Sequence, residues 1–147
     1  MGNDASDSGA WAIAPYFVVE DVVAAAAFYR DRLGFTYERL WGEPPSFCMV
    51  KRQGVTVMLA QLGREAVRPN YLVDPEGSAW DAYIWVHDAD ALHAEYVARG
   101  VTIVRPPCDQ PYGCRDFEIA DGNGYRLCFG HDIHTHTGHG TQDQGAS

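Results

Sequence analysis

The sequence predicts an α+β fold in which two βαβββ modules follow each other along the chain. Residues 17–35, FVVEDVVAAAAFYRDRLGF, combine a strand-like run, an aspartate, an amphipathic helix and a glycine. Residues 84–102, IWVHDADALHAEYVARGVT, repeat this order. Further strand-like runs, rich in alternating or β-branched residues, follow each stretch. We therefore interpret the chain as a duplicated module.

The first module is predicted over residues 11–61. Its first strand, AIAPYFVVE, leads to Asp21, which stands where a carboxylate accepts the free N–H groups of a helix start. The helix is predicted over residues 22–33, and Gly34 suits the left-handed residue that follows a helix end. The runs FTYERLW, SFCMVKRQ and VTVMLAQ are predicted as strands because prolines and a glycine separate them.

The second module is predicted over residues 80–130, after a linker, residues 62–79, that contains proline and glycine. The strand WDAYIWV precedes Asp88, the predicted helix cap, and Gly100 closes the helix. The strand VTIVRPP follows. A final hairpin, CRDFEIA and YRLCFG, is predicted across the turn sequence DGNG.

The composition of the chain limits the kinds of partner that it is expected to bind. The chain has 147 residues, is 46% hydrophobic and carries a net charge of −9. It is long enough for a real core, but its acidic surface disfavours nucleic acid and anionic membranes. No basic, apolar leader begins the sequence, so we expect a cytoplasmic protein. The four cysteines form no C-x-x-C pair and are expected to be reduced.

Both ends of the chain are small, polar and rich in glycine. We expect residues 1–10 to be disordered and residues 131–147 to form a flexible, His-rich tail. Metal binding by such a tail is interpreted as adventitious, because a flexible segment holds no fixed ligand geometry.

Several motifs resemble the vicinal oxygen chelate superfamily, the group of glyoxalases, bleomycin-resistance proteins and extradiol dioxygenases. In the first module they are VED at residues 19–21, AAFYR at residues 26–30 and LGF at residues 33–35. In the second they are VHD at residues 86–88 and DGNGY at residues 121–125, followed by Leu127. The resemblance implies two cupped mixed sheets, and modules that pair within one chain or between the chains of a homodimer.

The resemblance also implies where a divalent metal would be held, with one ligand from each of four strands. These places fall on Ala14, Met58, Asp81 and Arg126, the pairs Ala14/Asp81 and Met58/Arg126 being equivalent in the two modules. Only Asp81 is a suitable ligand, since a thioether and a guanidinium do not suit a hard cation. We therefore predict no metal and no other cofactor. Zn, Ni, Fe or Mn, bound in a lyase, isomerase or dioxygenase of the same superfamily, is the alternative.

The resemblance implies a cup that binds a small, partly aromatic molecule, as in bleomycin-resistance proteins that protect by sequestering an antibiotic. Alternate strand residues would line the cup, so Asp81, Tyr83 and Trp85 are expected on one face. No catalytic residue is assigned. A metabolite-binding protein with the same scaffold stays open as a further interpretation. The predicted ligand-binding residues are Trp41, Phe47, Met58, Asp81, Tyr83, Trp85, Tyr112 and Arg126.

Overall fold

The predicted duplicated α+β architecture is confirmed in a computed structural model that describes residues 11–76 and 79–134. The first module contains β1 (Tyr16–Val19), α1 (Val22–Asp31), β2 (Leu40–Trp41), β3 (Phe47–Arg52) and β4 (Val55–Gln61). The second contains β5 (Ala82–Trp85), α2 (Ala89–Ala98), β6 (Thr102–Asp109), β7 (Cys114–Ala120) and β8 (Arg126–Asp132). The linker between them forms two short 3₁₀ helices, Arg64–Ala66 and Asn70–Leu72.

Each module folds its strands into one mixed sheet. The order is β1-β4-β3-β2 in the first sheet and β5-β8-β7-β6 in the second. In both, the first strand pairs in parallel with the last, and the other neighbours are antiparallel. The helix after the first strand supplies the crossover that a parallel pair requires.

Both helices begin at their predicted caps. The Asp21 carboxylate accepts hydrogen bonds from the N–H groups of Val23 and Ala24, at 3.0 and 3.1 Å. Asp88 accepts one from Ala91 at 3.1 Å. α1 ends at Asp31, two residues before the predicted end, because Phe35 N–H bonds back to the Tyr29 carbonyl across Gly34 at φ +78°.

The last strands of the two modules are not aligned as the repeat predicts. Tyr16 of β1 pairs with Met58 of β4, whereas Tyr83 of β5 pairs with Cys128 of β8. Tyr16 and Tyr83 stand at the same distance before their helix caps, so Met58 corresponds to Cys128. The predicted equivalence of Met58 and Arg126 is therefore wrong by two residues.

The physical reason is that the segments between the helix and the last strand differ in length. Met49 pairs with Met58 and Glu118 pairs with Cys128, so β7 is already displaced by two residues relative to the helix caps. The final hairpin adds one more, with four residues between Lys51 and Thr56 and five between Ala120 and Arg126. A count along the sequence from the helix cannot register strands that follow turns of different length. The counterpart of Arg126 is Thr56, so the four positions compared in the sequence are not a matched set.

The two modules pack against each other through their helix-covered faces. The Tyr96 hydroxyl of α2 donates to the Leu33 carbonyl at 2.9 Å, and the Tyr29 hydroxyl of α1 donates to Asp121 at 2.8 Å. The tyrosines are fully buried in one hydrophobic core to which both modules contribute. The other side of each sheet, hereafter its open face, points away from this core.

The C-terminal strand is longer than predicted. β8 continues to Asp132, so residues 131 and 132 belong to the sheet rather than to the tail. His131 is buried there, and its Nδ1 accepts the N–H of Ala89, the first residue of α2, at 2.9 Å. The segments 1–10 and 135–147, predicted as disordered and flexible, lie outside the described residues.

Two further expectations concern the described part of the chain. Cys48, Cys108, Cys114 and Cys128 are all free thiols, as predicted, and only Cys108 is exposed. The two α-helices there have ten residues each, and neither is long and apolar enough to cross a bilayer, which takes about 20 residues.

Candidate functional site

Three aromatic rings form a row on the open face at the β5 edge of the second sheet. Tyr83 and Trp85 point to the same side of β5, and their ring centroids lie 4.9 Å apart. Trp80 packs edge-on against Tyr83, with centroids 5.3 Å apart. Trp85 is nevertheless 63% exposed. The structure thus brings two predicted site residues together and leaves one ring largely open to solvent.

Asp116, which the sequence analysis missed, fixes this aromatic row. It is fully buried on β7 and accepts hydrogen bonds from the hydroxyls of Tyr83, at 2.9 Å, and Tyr112, at 2.5 Å. Arg105 Nη2 donates to it at 2.6 Å. Burial alone raises the pKa of Asp116, but the donors outweigh it and the net shift is downward. Asp116 is therefore a charged anchor that orients two tyrosines.

The two tyrosines act as hydrogen-bond donors. Burial, followed by the hydrogen bond to Asp116, raises the pKa of both Tyr83 and Tyr112 above that of a free phenol. Both keep their protons near neutral pH, so neither is a general base. Tyr112, another of the predicted ligand-binding residues, is tied to Asp116 by its hydroxyl even though the residue is exposed.

Room for the Tyr83 ring comes from a glycine on the neighbouring strand. Gly130 of β8 lies beneath Tyr83, and a Cβ atom there would stand 2.8 Å from the Cβ of Asp116 and collide with the Tyr83 hydroxyl. This is closer than side chains approach each other in real structures. Gly130 is thus part of the site because it carries no side chain.

A second buried carboxylate on the same face is incompletely satisfied. Glu118 lies two residues beyond Asp116 on β7, and its Oε2 has no hydrogen-bond partner within the described part of the chain. Arg126 Nη1 is 3.9 Å away, while the Arg126 guanidinium lies over the ring of Tyr71. Burial raises the pKa of Glu118. An unpaired buried acceptor is costly, so this position favours a ligand that brings a donor.

Asp81 lies just before the strand that carries the aromatic row. β5 begins one residue later, at Ala82. One carboxylate oxygen of Asp81 accepts the Asn70 N–H at 2.9 Å and the other accepts the Arg126 N–H at 2.8 Å. The side chain therefore joins the linker to the start of β8, a role that alternation along the strand could not indicate.

The other predicted residues lie on the first sheet. Trp41 on β2 pairs with Phe47 on β3, and Met58 lies on β4 opposite Met49. Trp41 is 41% exposed and its ring is covered by the Arg39 guanidinium, 3.7 Å from the ring centroid. Trp41, Met49 and Arg39 border a shallow hollow of about 110 Å³. At this place the first sheet has a small indentation.

The residues at the metal positions implied by the sequence do not fit a divalent cation. Both carboxylate oxygens of Asp81 accept backbone N–H groups, and Arg126 adds a positive charge beside it. Met58 is a soft thioether and Ala14 has no donor atom. No group of three or more His, Cys, Asp or Glu side chains placed to hold a metal occurs in residues 11–76 and 79–134.

A cavity lies elsewhere, between the two modules. It has a volume of about 530 Å³ and lies at the β3–β4 turn, the end of β5 and one side of α2. Of the predicted site residues only Trp85 borders it. Local sequence patterns could not indicate this cavity, because it depends on how one module meets the other.

Known structures of the same architecture are similar over most of the chain. TioX from Micromonospora sp. ML1 has a TM-score of 0.65 and 21% identity, covering 83% of this chain and 98% of its own. A glyoxalase/bleomycin resistance protein/dioxygenase from Alicyclobacillus acidocaldarius has a TM-score of 0.66 and 17% identity, with coverages of 84% and 92%.

A third similar structure is the bleomycin-binding protein from bleomycin-producing Streptomyces verticillus, complexed with copper(II)-bleomycin. Its TM-score is 0.58 at 26% identity, and it covers 83% of this chain and 94% of its own. No curated protein sequence matches the chain significantly. The sequence profile of the Glyoxalase/Bleomycin resistance protein/Dioxygenase superfamily matches residues 12–129, and the chain therefore belongs to that superfamily.

Proposed function

We propose that this protein binds a small, partly aromatic molecule on the open faces of its sheets, without a divalent metal. The observation that carries the proposal is the exposed Trp85 ring, which extends an aromatic row that Asp116 holds in place through Tyr83. A large aromatic ring left open beside a fixed polar group is typical of a binding site rather than of a core.

The open face of the second sheet favours a ligand that carries hydrogen-bond donors as well as aromatic rings. Glu118 Oε2 has no hydrogen-bond partner in the described chain, and Asp116 is charged nearby. A cationic or N–H-rich ligand would donate a hydrogen bond to Glu118 Oε2 and would be attracted by both carboxylates. The bleomycin-binding relative from S. verticillus supports sequestration of such a molecule, and hence a role in antibiotic resistance.

We further propose that a second copy of the chain completes the cup. The helix-covered faces of both sheets are already buried against each other. The open faces still expose Tyr16, Trp41 and Trp85. A homodimer that brings an open face of one copy against that of another would enclose these rings and form a site with two walls.

Replacing Trp85 tests the proposal. In Trp85→Ala we expect affinity for a bound planar aromatic cation to fall about 5- to 150-fold, since stacking and cation–π contacts are worth about 1–3 kcal/mol. Thermal shifts with bleomycin and a panel of planar aromatic cations identify the probe, and calorimetry measures affinity. Val97→Ala, an exposed change on α2, is the control. Equal affinities for the two variants would remove Trp85 from the site.

The second candidate is a divalent-metal-dependent lyase, isomerase or dioxygenase of the same superfamily. The observation in its favour is the free oxygen of Glu118, because carboxylates are common ligands of hard cations. Against it stands Arg126, whose guanidinium lies 3.9 Å from that oxygen. Elemental analysis separates the two candidates.

We expect the protein to contain far less than one equivalent of metal per chain. The measurement uses protein purified without a nickel column, beside a variant in which His134, His136 and His139 are alanine, so that binding by the histidines is accounted for. Stoichiometric zinc, nickel, iron or manganese in the histidine-free variant would favour the enzyme.

A further inference from the structure

The cavity between the modules has the size and lining of a ligand site. Its volume of about 530 Å³ falls within the range of small-molecule pockets. Apolar side chains from both modules line it: Phe35, Ile84, Leu92, Tyr96 and Phe129. It lies at the junction where the modules meet, and of the open-face residues named above only Trp85 borders it.

The duplication provides an internal comparison for this cavity. At the corresponding junction around β1, the long β7–β8 turn fills the space. The Tyr125 hydroxyl donates to the Val18 carbonyl at 2.6 Å, and the Glu20 N–H donates to the Asn123 side-chain oxygen at 3.1 Å. One hydroxyl and one amide oxygen therefore pair with two backbone groups at the free edge of β1.

The equivalent backbone groups at the end of β5 do not have such hydrogen bonds within the described part of the chain. The counterparts of Val18 and Glu20, 67 residues along the chain, are Trp85 and His87, and both border the cavity. The intervening Val86 N–H bonds to the Gly130 carbonyl at 2.8 Å, so its neighbours point away from β8. Neither the Trp85 carbonyl nor the His87 N–H has a hydrogen-bond partner in the part of the chain that the structure describes.

The β3–β4 hairpin differs from the β7–β8 hairpin by one residue and one side chain. Four residues lie between the paired Lys51 and Thr56, and five between Ala120 and Arg126, so Val55 takes the place of Tyr125. The β3–β4 turn borders the cavity without reaching the edge of β5. Val55 also borders the cavity, and it has neither a ring nor a hydroxyl to fill the space that Tyr125 fills at β1.

We propose that this cavity binds a small, neutral aromatic molecule that carries an O–H or N–H donor and a carbonyl acceptor. Its donor pairs with the Trp85 carbonyl and its carbonyl accepts the His87 N–H, as Tyr125 and Asn123 do at β1. Its aromatic body rests on Ile84, the counterpart of Phe17, on which the Tyr125 ring stacks at 4.3 Å.

The charges around the cavity favour a neutral ligand. Arg52 and Glu95 border it and form a bidentate ion pair, with distances of 2.9 and 3.0 Å. The Asp88 carboxylate is engaged as the cap of α2. These charges are already compensated by protein groups, so a charged ligand would lose its hydration without gaining a free partner.

N-acetyl-L-tyrosinamide is a suitable probe because it is neutral and carries a phenol, amide N–H groups and carbonyls. We expect titration into the ¹⁵N-labelled full chain to shift the amide signals of Gly54 and His87. The signals of Met58 and Tyr83 on the open faces should stay in place. N-acetyl-L-phenylalaninamide, which lacks the hydroxyl, should bind at least threefold more weakly.

Gly54→Trp blocks the cavity with little risk to the fold. A Cβ atom at Gly54 meets nothing within 4 Å, and its backbone is outside the left-handed region. The indole is expected to narrow the cavity and weaken the tyrosinamide probe at least tenfold. Val73→Trp, at a linker residue that is 88% exposed, is the matched control and should bind as the parent chain does.

Three results would overturn the proposal: equal probe affinity in the two tryptophan variants, shifts confined to the open faces, or no saturable shift. A His87 signal that moves with protein concentration alone would also overturn it, because a second copy would then occupy the edge of β5. The test is independent of the proposed function, since Trp85 is unchanged in every variant.

Discussion

Asp116→Asn is expected to lower the free energy of unfolding by about 3 kcal/mol. Asp116 is fully buried and holds Arg105, Tyr83 and Tyr112 at hydrogen-bond distance. Removal of one partner from a buried ion pair costs about 3–5 kcal/mol, because the other charge is left without compensation. The lower end of this energy range applies because the Arg105 side chain is 28% exposed to solvent.

Urea unfolding of the variant and the parent chain measures this loss. Asp109→Asn is the control, since Asp109 pairs with Arg115 but its side chain is 64% exposed, and surface pairs contribute about 0–1 kcal/mol. Asp116→Leu combined with Arg105→Met removes both charges and should recover part of the loss. A midpoint for Asp116→Asn equal to that of Asp109→Asn would contradict the role assigned to Asp116.

The second large effect is a dependence of stability on pH that Asp121→Asn should abolish. Burial raises the pKa of Asp121 to about 6 from 3.8, even though the Tyr29 hydroxyl and the N–H groups of Asn123 and Tyr125 favour its charged form. The folded state therefore binds more protons than the unfolded state between these two values. Its contribution to stability is complete below about pH 4 and is lost as the pH rises through about 6.

The expected loss is about 3 kcal/mol, from about two pKa units at 1.36 kcal/mol each. We expect the difference in free energy of unfolding between the parent chain and Asp121→Asn to change by that amount between pH 4 and 7. Other titrating groups contribute equally to both chains and cancel. Asp109→Asn should parallel the parent chain, and a difference for Asp121→Asn that stays constant with pH would contradict the raised pKa.

Local signals predicted the fold well. Asp21, Asp88 and Gly34 act within one helical turn of their own positions, so their roles follow from sequence neighbours alone. The register of the last strands failed because it depends on connecting segments whose lengths differ between the modules. Counting residues transfers information only across segments of equal length.

The candidate site was harder to predict because its members meet through tertiary structure. Tyr83 and Trp85 were found, since alternation along one strand places them together. Asp116 lies in CRDFEIA, where acidic residues alternate with Phe117 and Ile119, a pattern equally typical of a solvated strand face. Its burial depends on donors from three other segments, which no local pattern reveals.

The unequal hairpin turns make gain or loss of a binding pocket an unusually small evolutionary step. Surface turns tolerate insertion and deletion far better than strands or helices do. In a duplicated fold, a hairpin that gains one residue and a tyrosine can fill the neighbouring junction, and one that loses them can open it, while both cores stay intact. Replacing residues 53–55 by the sequence of residues 122–125 would reproduce that step in the laboratory and close the pocket from within.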